Sequence, residues 1–144
     1  MKKIIYSVLT IIALLGSTQL VSAQESEKPQ KHRIIYQMST GDTLAHKQLM
    51  KQLGNIQKVA PGTQVEVVCY GPGLDMLVTG KTTVPEKIND HAKAGVDFRA
   101  CEMAMKDRNV ERSQIIPSAG TVPAGVIEIV TKQEEGWSYI KAGF

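Results

Sequence analysis

The chain alternates short apolar runs with longer segments in which apolar residues recur every three or four positions. The run Arg33–Met38 predicts a buried first strand that ends at the turn-rich segment 39–42. The next segment predicts an amphipathic helix that begins at Asp42 or Thr43 and ends before Pro61. Its apolar positions, spaced by four, four, three and four, are Ala45, Leu49, Leu53, Ile56 and Ala60.

The same alternation continues to the end of the chain. The further predicted strands are 63–70, 96–100, the short remnant Ile115-Ile116, and 137–141. The predicted helices are 74–79, 84–94 and 101–107, and a last helix opened by Thr121 and Pro123 and stopped by Gly136. Strands separated by helices imply parallel pairing through crossover connections, with helices on both faces of the sheet. We therefore predict an α/β fold, a three-layer α/β/α sandwich.

The N-terminus has the pattern of an export signal. Lys2 and Lys3 precede an uncharged run over 4–16, and Ala23 ends a cleavage-like segment of small residues. A retained membrane anchor is the alternative, but this run is shorter than the ~20 apolar residues that span a bilayer. We predict a signal peptide at 1–23, a flexible leader at 24–32 and a domain at 33–144, and hence a periplasmic or secreted protein with no stable membrane insertion.

Charge and composition argue against several classes of partner. The 17 basic and 14 acidic residues give a net charge of +3, and removal of Lys2 and Lys3 lowers it to +1. With 5% aromatic residues and no basic cluster, no nucleic-acid surface is expected. The spacings of cysteine and histidine do not fit a structural metal site. Gly71-Pro72-Gly73 lacks the third glycine of a dinucleotide loop, so we expect a tight turn there and no cofactor.

Cys101 is the strongest candidate for a functional side chain. It follows the predicted strand 96–100 and begins the predicted helix 101–107, so its sulfur would lie at the positive end of a helix dipole, where a thiolate is favoured. The alternative is an apolar core stripe with the residues three and four positions later, in which the cysteine acts as a small hydrophobe. Position alone leaves both interpretations open.

His46 and Cys69 are candidates for supporting Cys101. His46 lies early on the first helix, near the carboxyl edge of the sheet, where it could serve as a base or proton relay to Cys101; otherwise it is a surface histidine. Cys69 ends the second predicted strand, near the same edge. Three states remain open for it: a disulfide with Cys101, a resolving thiol in a redox pair, or a separate buried thiol.

Several segments together resemble the DsrE/DsrF-like family, over about 33–141. They are Val67–Leu74, Gly95–Cys101 with the following short helix and Asn109-Val110, Val122–Ile129, Gln133–Lys141, and the helix segment Leu53–Ile56. The most specific part is the strand-to-helix cysteine combined with the later segment Val122–Val126 and the aromatic-rich end.

The resemblance implies a five-stranded parallel sheet, assembly into trimers or hexamers, and sulfur relay through a cysteine persulfide. Only Cys101 corresponds to the sulfur-bearing thiol of the family. Our leading hypothesis is an exported sulfur carrier that passes sulfane sulfur from Cys101 to the thiol of a partner protein, with help from His46. The competing hypothesis is a non-enzymatic oligomeric binding module, in which Cys101 is core packing or is bonded to Cys69.

Overall fold

The computed structural model describes residues 31–143 of the 144-residue chain. The predicted signal peptide and most of the predicted leader therefore lie outside the described residues. Within residues 31–143, no helix combines the length and the apolar character that a bilayer crossing requires.

The centre of the fold is a sheet of five parallel strands. The strands are β1 (Arg33–Met38), β2 (Gln64–Cys69), β3 (Val96–Cys101), β4 (Gly120–Val122) and β5 (Ser138–Ala142). Their order across the sheet is β4-β3-β2-β1-β5, and every neighbouring pair is parallel. The registers align Cys69 with Ala100 and Cys101 with Val122, so these residues lie together at the carboxyl edge.

Helices cover both faces of the sheet. The α-helices are α1 (Thr43–Val59), α2 (Pro85–Lys93), α3 (Glu102–Asp107) and α4 (Gly125–Glu134). The larger core cluster includes side chains of α1, α2 and α3 on one face. On the other face, α4 packs over a smaller cluster formed by Ile35, Val68, Val122 and Ile129. The three-layer α/β architecture expected from the sequence is confirmed.

The first strand and the first helix form where the pattern of apolar residues predicts them. Asp42 caps α1, because its side chain accepts a hydrogen bond from the N–H of Leu44 at 2.8 Å. The Gly71–Leu77 segment is a 3₁₀ helix with a proline in its first turn. Gly73 within it passes so close to β1 that an added Cβ would lie 2.2 Å from the carbonyl oxygen of Met38. Only a glycine at position 73 lets the backbone of the 3₁₀ helix pack this closely against the backbone at the end of β1.

The position predicted for the fourth strand is wrong. Ile115 forms only an isolated antiparallel bridge with Val78, and both isoleucines of the pair are buried in the core. The fourth strand is the three-residue segment β4, which contains Thr121. The last helix, α4, begins at Gly125, four residues after Thr121. Two adjacent buried isoleucines resemble a strand in sequence, whereas a three-residue strand that begins with glycine gives almost no periodic signal.

One carboxylate is buried on the sheet face that α4 covers. Glu66 is 4% exposed, and its Oε2 lies 3.5 Å from Nζ of Lys132 on α4. Its Oε1 has no hydrogen-bond partner among the described residues. Lys132 also lies 3.7 Å from Glu128 and 3.8 Å from Glu135, and 4.9 Å from the centre of the Trp137 ring. Burial, followed by the negative charge of Glu128, raises the pKa of Glu66 to about 7 despite Lys132.

Candidate functional site

Cys101 lies at the carboxyl edge of the sheet, where β3 ends and α3 begins. Its backbone is still extended, and it is the N-cap residue of α3. The Sγ atom accepts a hydrogen bond from the N–H of Ala104 at 3.5 Å. It accepts a second from the N–H of Gly125, the first residue of α4, at 3.2 Å. Two backbone donors from different helices therefore converge on one sulfur.

Gly125 makes the approach of α4 to the sulfur possible. A Cβ at this position would lie 3.0 Å from Cγ1 of Val68, 3.2 Å from Cδ1 of Tyr70 and 3.3 Å from Cβ of Cys101. Such contacts are tighter than ordinary van der Waals separation, so any larger residue would move the helix start away. These neighbours also show that Cys101 points to the sheet face that α4 covers.

A cleft of about 500 Å³ gives access to this position. Its walls are mainly apolar side chains and glycines, and Asp107 and Arg108 are its charged members. The lining residues are Tyr70, Gly71, Cys101, Met103, Ala104, Asp107, Arg108, Ala124, Gly125, Val126 and Ile127. Cys101 is only 5% exposed, so a reagent reaches it through the cleft.

The two N–H groups have a direct chemical consequence. Hydrogen bonds to an anion stabilise the charged form, and the start of a helix carries partial positive charge. Helix α4 has ten residues and points its first N–H at the sulfur, whereas α3 has only six residues. The arrangement can stabilise negative charge on the Cys101 sulfur.

The arginine of the cleft is already paired with a carboxylate. Nη2 of Arg108 lies 2.9 Å from both carboxylate oxygens of Asp75, and Lys81 also contacts Asp75 at 3.2 Å. Burial opposes ionisation of Asp75, but the hydrogen bonds from Arg108 and Lys81 outweigh it and lower its pKa. The guanidinium that lines the cleft is thus bound by a carboxylate through Nη2, while its buried Nε has no hydrogen-bond partner among the described residues.

Cys69 does not join this site. Both cysteines are free thiols, and Cys69 is completely buried. Since it is in register with Ala100, it points to the face opposite Cys101, because side chains alternate along a strand. Burial raises the pKa of the Cys69 thiol well above its usual range. Of the three states left open by the sequence, the structure shows the separate buried thiol.

His46 lies at the carboxyl edge but is not among the residues that line the cleft. Its side chain is 2% exposed, and Nε2 is 2.8 Å from the backbone oxygen of Thr40. This contact ties the loop after β1 to the first turn of α1. The structure therefore does not bring His46 to Cys101, although both residues lie near the carboxyl ends of parallel strands.

Tyr70 is a wall of the cleft that the sequence analysis did not single out. Its hydroxyl oxygen accepts a hydrogen bond from Nε2 of Gln37, and Oε1 of Gln37 accepts one from the hydroxyl of Tyr139. Burial, followed by electrostatic repulsion from the neighbouring acidic groups, raises the pKa of Tyr70. The polar chain anchors the far end of the ring, while the near end packs at the position of Gly125.

Gly125 was also missed as a site residue. Its segment was noted for the family resemblance, but nothing in the local sequence shows which side chain the start of α4 contacts. No cluster of three His, Cys, Asp or Glu side chains with metal-binding geometry occurs in residues 31–143.

Comparison with known proteins identifies relatives of this fold. The model of the DsrE/DsrF-like family matches residues 28–142. The chain is similar to the solved structure of MTH1491 from Methanobacterium thermoautotrophicum, with 24% identity and a TM-score of 0.73, over 76% of this chain and 98% of that one. It is also similar to BT1422 from Bacteroides thetaiotaomicron, with 14% identity and a TM-score of 0.65, over 78% and 97% of the two chains. Both are described as proteins of unknown function. No curated protein matches the chain.

Proposed function

Because the chain belongs to the DsrE/DsrF-like family, we propose that it carries sulfane sulfur as a persulfide on Cys101 and passes it to a partner thiol. The family suggests a function of the sulfur-relay type. The observation that carries the proposal is that Cys101 lines a cleft and that the N–H groups of Ala104 and Gly125 are directed at its sulfur.

The chemistry consists of two thiol exchange steps. In the first, the Cys101 thiolate attacks the outer sulfur of a persulfide donor, R–S–SH. A new S–S bond forms on Cys101, the S–S bond of the donor breaks, and the donor leaves as a thiolate with the bonding electron pair. In the second, a partner thiolate attacks the outer sulfur of the Cys101 persulfide, and Cys101 leaves as a thiolate. The sulfane sulfur keeps its oxidation state, so no external oxidant or reductant is needed.

The N–H groups at the sulfur serve both steps. Cys101 is a thiolate before it attacks and again when it leaves, and both donors stabilise that charge. A cysteine that acted only as core packing would need neither the donors nor the cleft. Those two features favour a carrier over the non-enzymatic binding module.

Intact mass spectrometry tests the proposal. Wild-type protein treated with an alkyl hydropersulfide should gain the mass of one sulfur atom and lose it again on addition of a thiol. Cys69→Ala is the matched control and should gain the sulfur as the wild type does, whereas Cys101→Ala should not. Circular dichroism confirms that both variants are folded. Equal labelling of the two variants, or no labelling of the wild type, would contradict the proposal.

A further inference from the structure

The walls of the cleft restrict the chemistry of a molecule that reaches Cys101. Met103, Val126 and Ile127 line it and remain 61%, 55% and 62% exposed, so an apolar rim surrounds the approach to the sulfur. Tyr70 and Ala104 continue the apolar wall inward. A substituent that lies along these side chains gains binding free energy in proportion to the apolar area that it buries.

The charges of the cleft offer little to an anionic substituent. Arg108 is held by both oxygens of Asp75, and Lys81 contacts the same carboxylate. With Asp107, which also lines the cleft, these four side chains carry two positive and two negative charges. An added carboxylate or sulfonate therefore meets a guanidinium that Asp75 already binds through both of its oxygens, and it loses hydration on entering.

The N–H of Gly125 lies at the opposite end of the donor. Gly125 is the first residue of α4, and its N–H contacts the Cys101 sulfur, so it lies beside the reacting sulfur atoms. Negative charge is stabilised there during transfer, whereas a charge on the remote end of the donor would lie against hydrocarbon. The two ends of the donor thus meet opposite environments.

From these features we infer that the donor is a persulfide with an uncharged, apolar substituent, rather than an anionic donor such as thiosulfate. This inference rests on the proposed function and names the class of donor for it. The step is the first exchange described above: the outer sulfur passes to Cys101, and the apolar thiolate leaves and takes a proton from water. Each methylene of the substituent that is buried should raise the rate about four-fold.

Two donors that differ only at the remote end test the inference. The second-order rate of Cys101 persulfidation is measured by intact mass with n-pentyl hydropersulfide and with 4-carboxybutyl hydropersulfide. Each rate is divided by the rate of the same donor with free cysteine, which removes differences in intrinsic reactivity. We expect the uncharged donor to react at least ten-fold faster with the wild-type protein.

A matched pair of variants locates the effect at the rim. Ile127→Lys places a cation at an exposed position on the rim. It should lower the ratio of the corrected rates, uncharged donor to carboxylated donor, several-fold. Val59→Lys adds the same charge at an 82% exposed position at the end of α1, away from the cleft, and should leave the preference unchanged.

The outcomes separate this inference from the proposed function. If both donors persulfidate Cys101 at equal corrected rates, or the carboxylated donor is faster, the apolar class is overturned and the carrier function stands. An equal change in Ile127→Lys and Val59→Lys, or no change in Ile127→Lys, likewise overturns the assignment to the rim. If neither donor persulfidates the wild type, the proposed function itself fails.

Discussion

The buried carboxylate on β2 makes the stability of the protein depend on pH in a way that one substitution should remove. Glu66 has a pKa of about 7 in the folded protein, against 4.5 for an unperturbed glutamate. Because the unfolded chain releases this proton at lower pH than the folded protein, the stability contributed by Glu66 is fully present below pH 4.5. It is lost as the pH rises through 7.

The size of the effect follows from the difference between the two pKa values. About 2.5 pH units correspond to roughly 3 kcal/mol of unfolding free energy, of which roughly 2 to 3 kcal/mol is lost between pH 5 and pH 8. Glu66→Gln keeps the shape of the side chain and an acceptor for Lys132 but does not ionise. The difference in unfolding free energy between the variant and the wild type should therefore shift in favour of the variant by roughly 2 to 3 kcal/mol as the pH rises from 5 to 8.

Urea unfolding monitored by Trp137 fluorescence at pH 5, 6, 7 and 8 measures the difference. The pH dependence that the other titrating groups contribute cancels in the difference between the two unfolding free energies, because wild type and variant share those groups. Glu135→Gln is the control, since Glu135 also contacts Lys132 but its side chain is 50% exposed. Its difference from the wild type should not grow with pH. A difference for Glu66→Gln that stays constant from pH 5 to pH 8 would refute the burial argument.

Three further substitutions, one of them with a matched control, test the packing in and next to the site. Gly125→Ala should cost about 1–3 kcal/mol and slow alkylation of Cys101 by iodoacetamide several-fold, because the new Cβ moves α4 off the sulfur. Gly54→Ala, in the interior of α1, places a Cβ in ordinary van der Waals contact with Cε1 of His91 at 3.8 Å, and should instead gain about 0.5–1 kcal/mol and leave alkylation unchanged. Equal alkylation rates in the two variants would count against a role for the α4 contact. Tyr70→Phe should lower the free energy of unfolding in urea by about 1 kcal/mol, because the hydroxyl loses its hydrogen bond with the side-chain amide of Gln37. The rate of Cys101 persulfidation should stay within two-fold of the wild type, and a ten-fold loss of that rate would show that the hydroxyl takes part in transfer. Gly73→Ala should cost 3 kcal/mol or more by the same unfolding assay, about the upper end for overpacking, because a β1 carbonyl occupies the space; near-wild-type stability would show that the 3₁₀ helix can shift.

The sequence predicts those parts of the fold that local periodicity controls. Strand β1 and helix α1 form where the apolar spacing places them, and Cys101 lies at the predicted junction of strand and helix. Strand β4 was missed because three residues are too few to show a period. The pair Ile115-Ile116 was misassigned because burial alone does not distinguish a strand from a packed loop.

The candidate site could be predicted only in part. The chain position of Cys101 is local information, whereas the contact with Gly125 joins residues 24 apart and depends on how the connection after β4 runs. The same limit applies to His46: its place near the carboxyl edge follows from the order of strand and helix. The direction of its ring toward Thr40 depends on loop geometry that the spacing does not encode.

The double contact at the Cys101 sulfur joins a nearby and a distant part of the chain. One N–H donor lies three residues away, but the other arrives only when the C-terminal helix docks on the sheet. A chain in which α4 is not docked lacks the N–H donor of Gly125. The full environment of the sulfur therefore requires the docked helix, and the reactivity of the thiol can report whether α4 has docked.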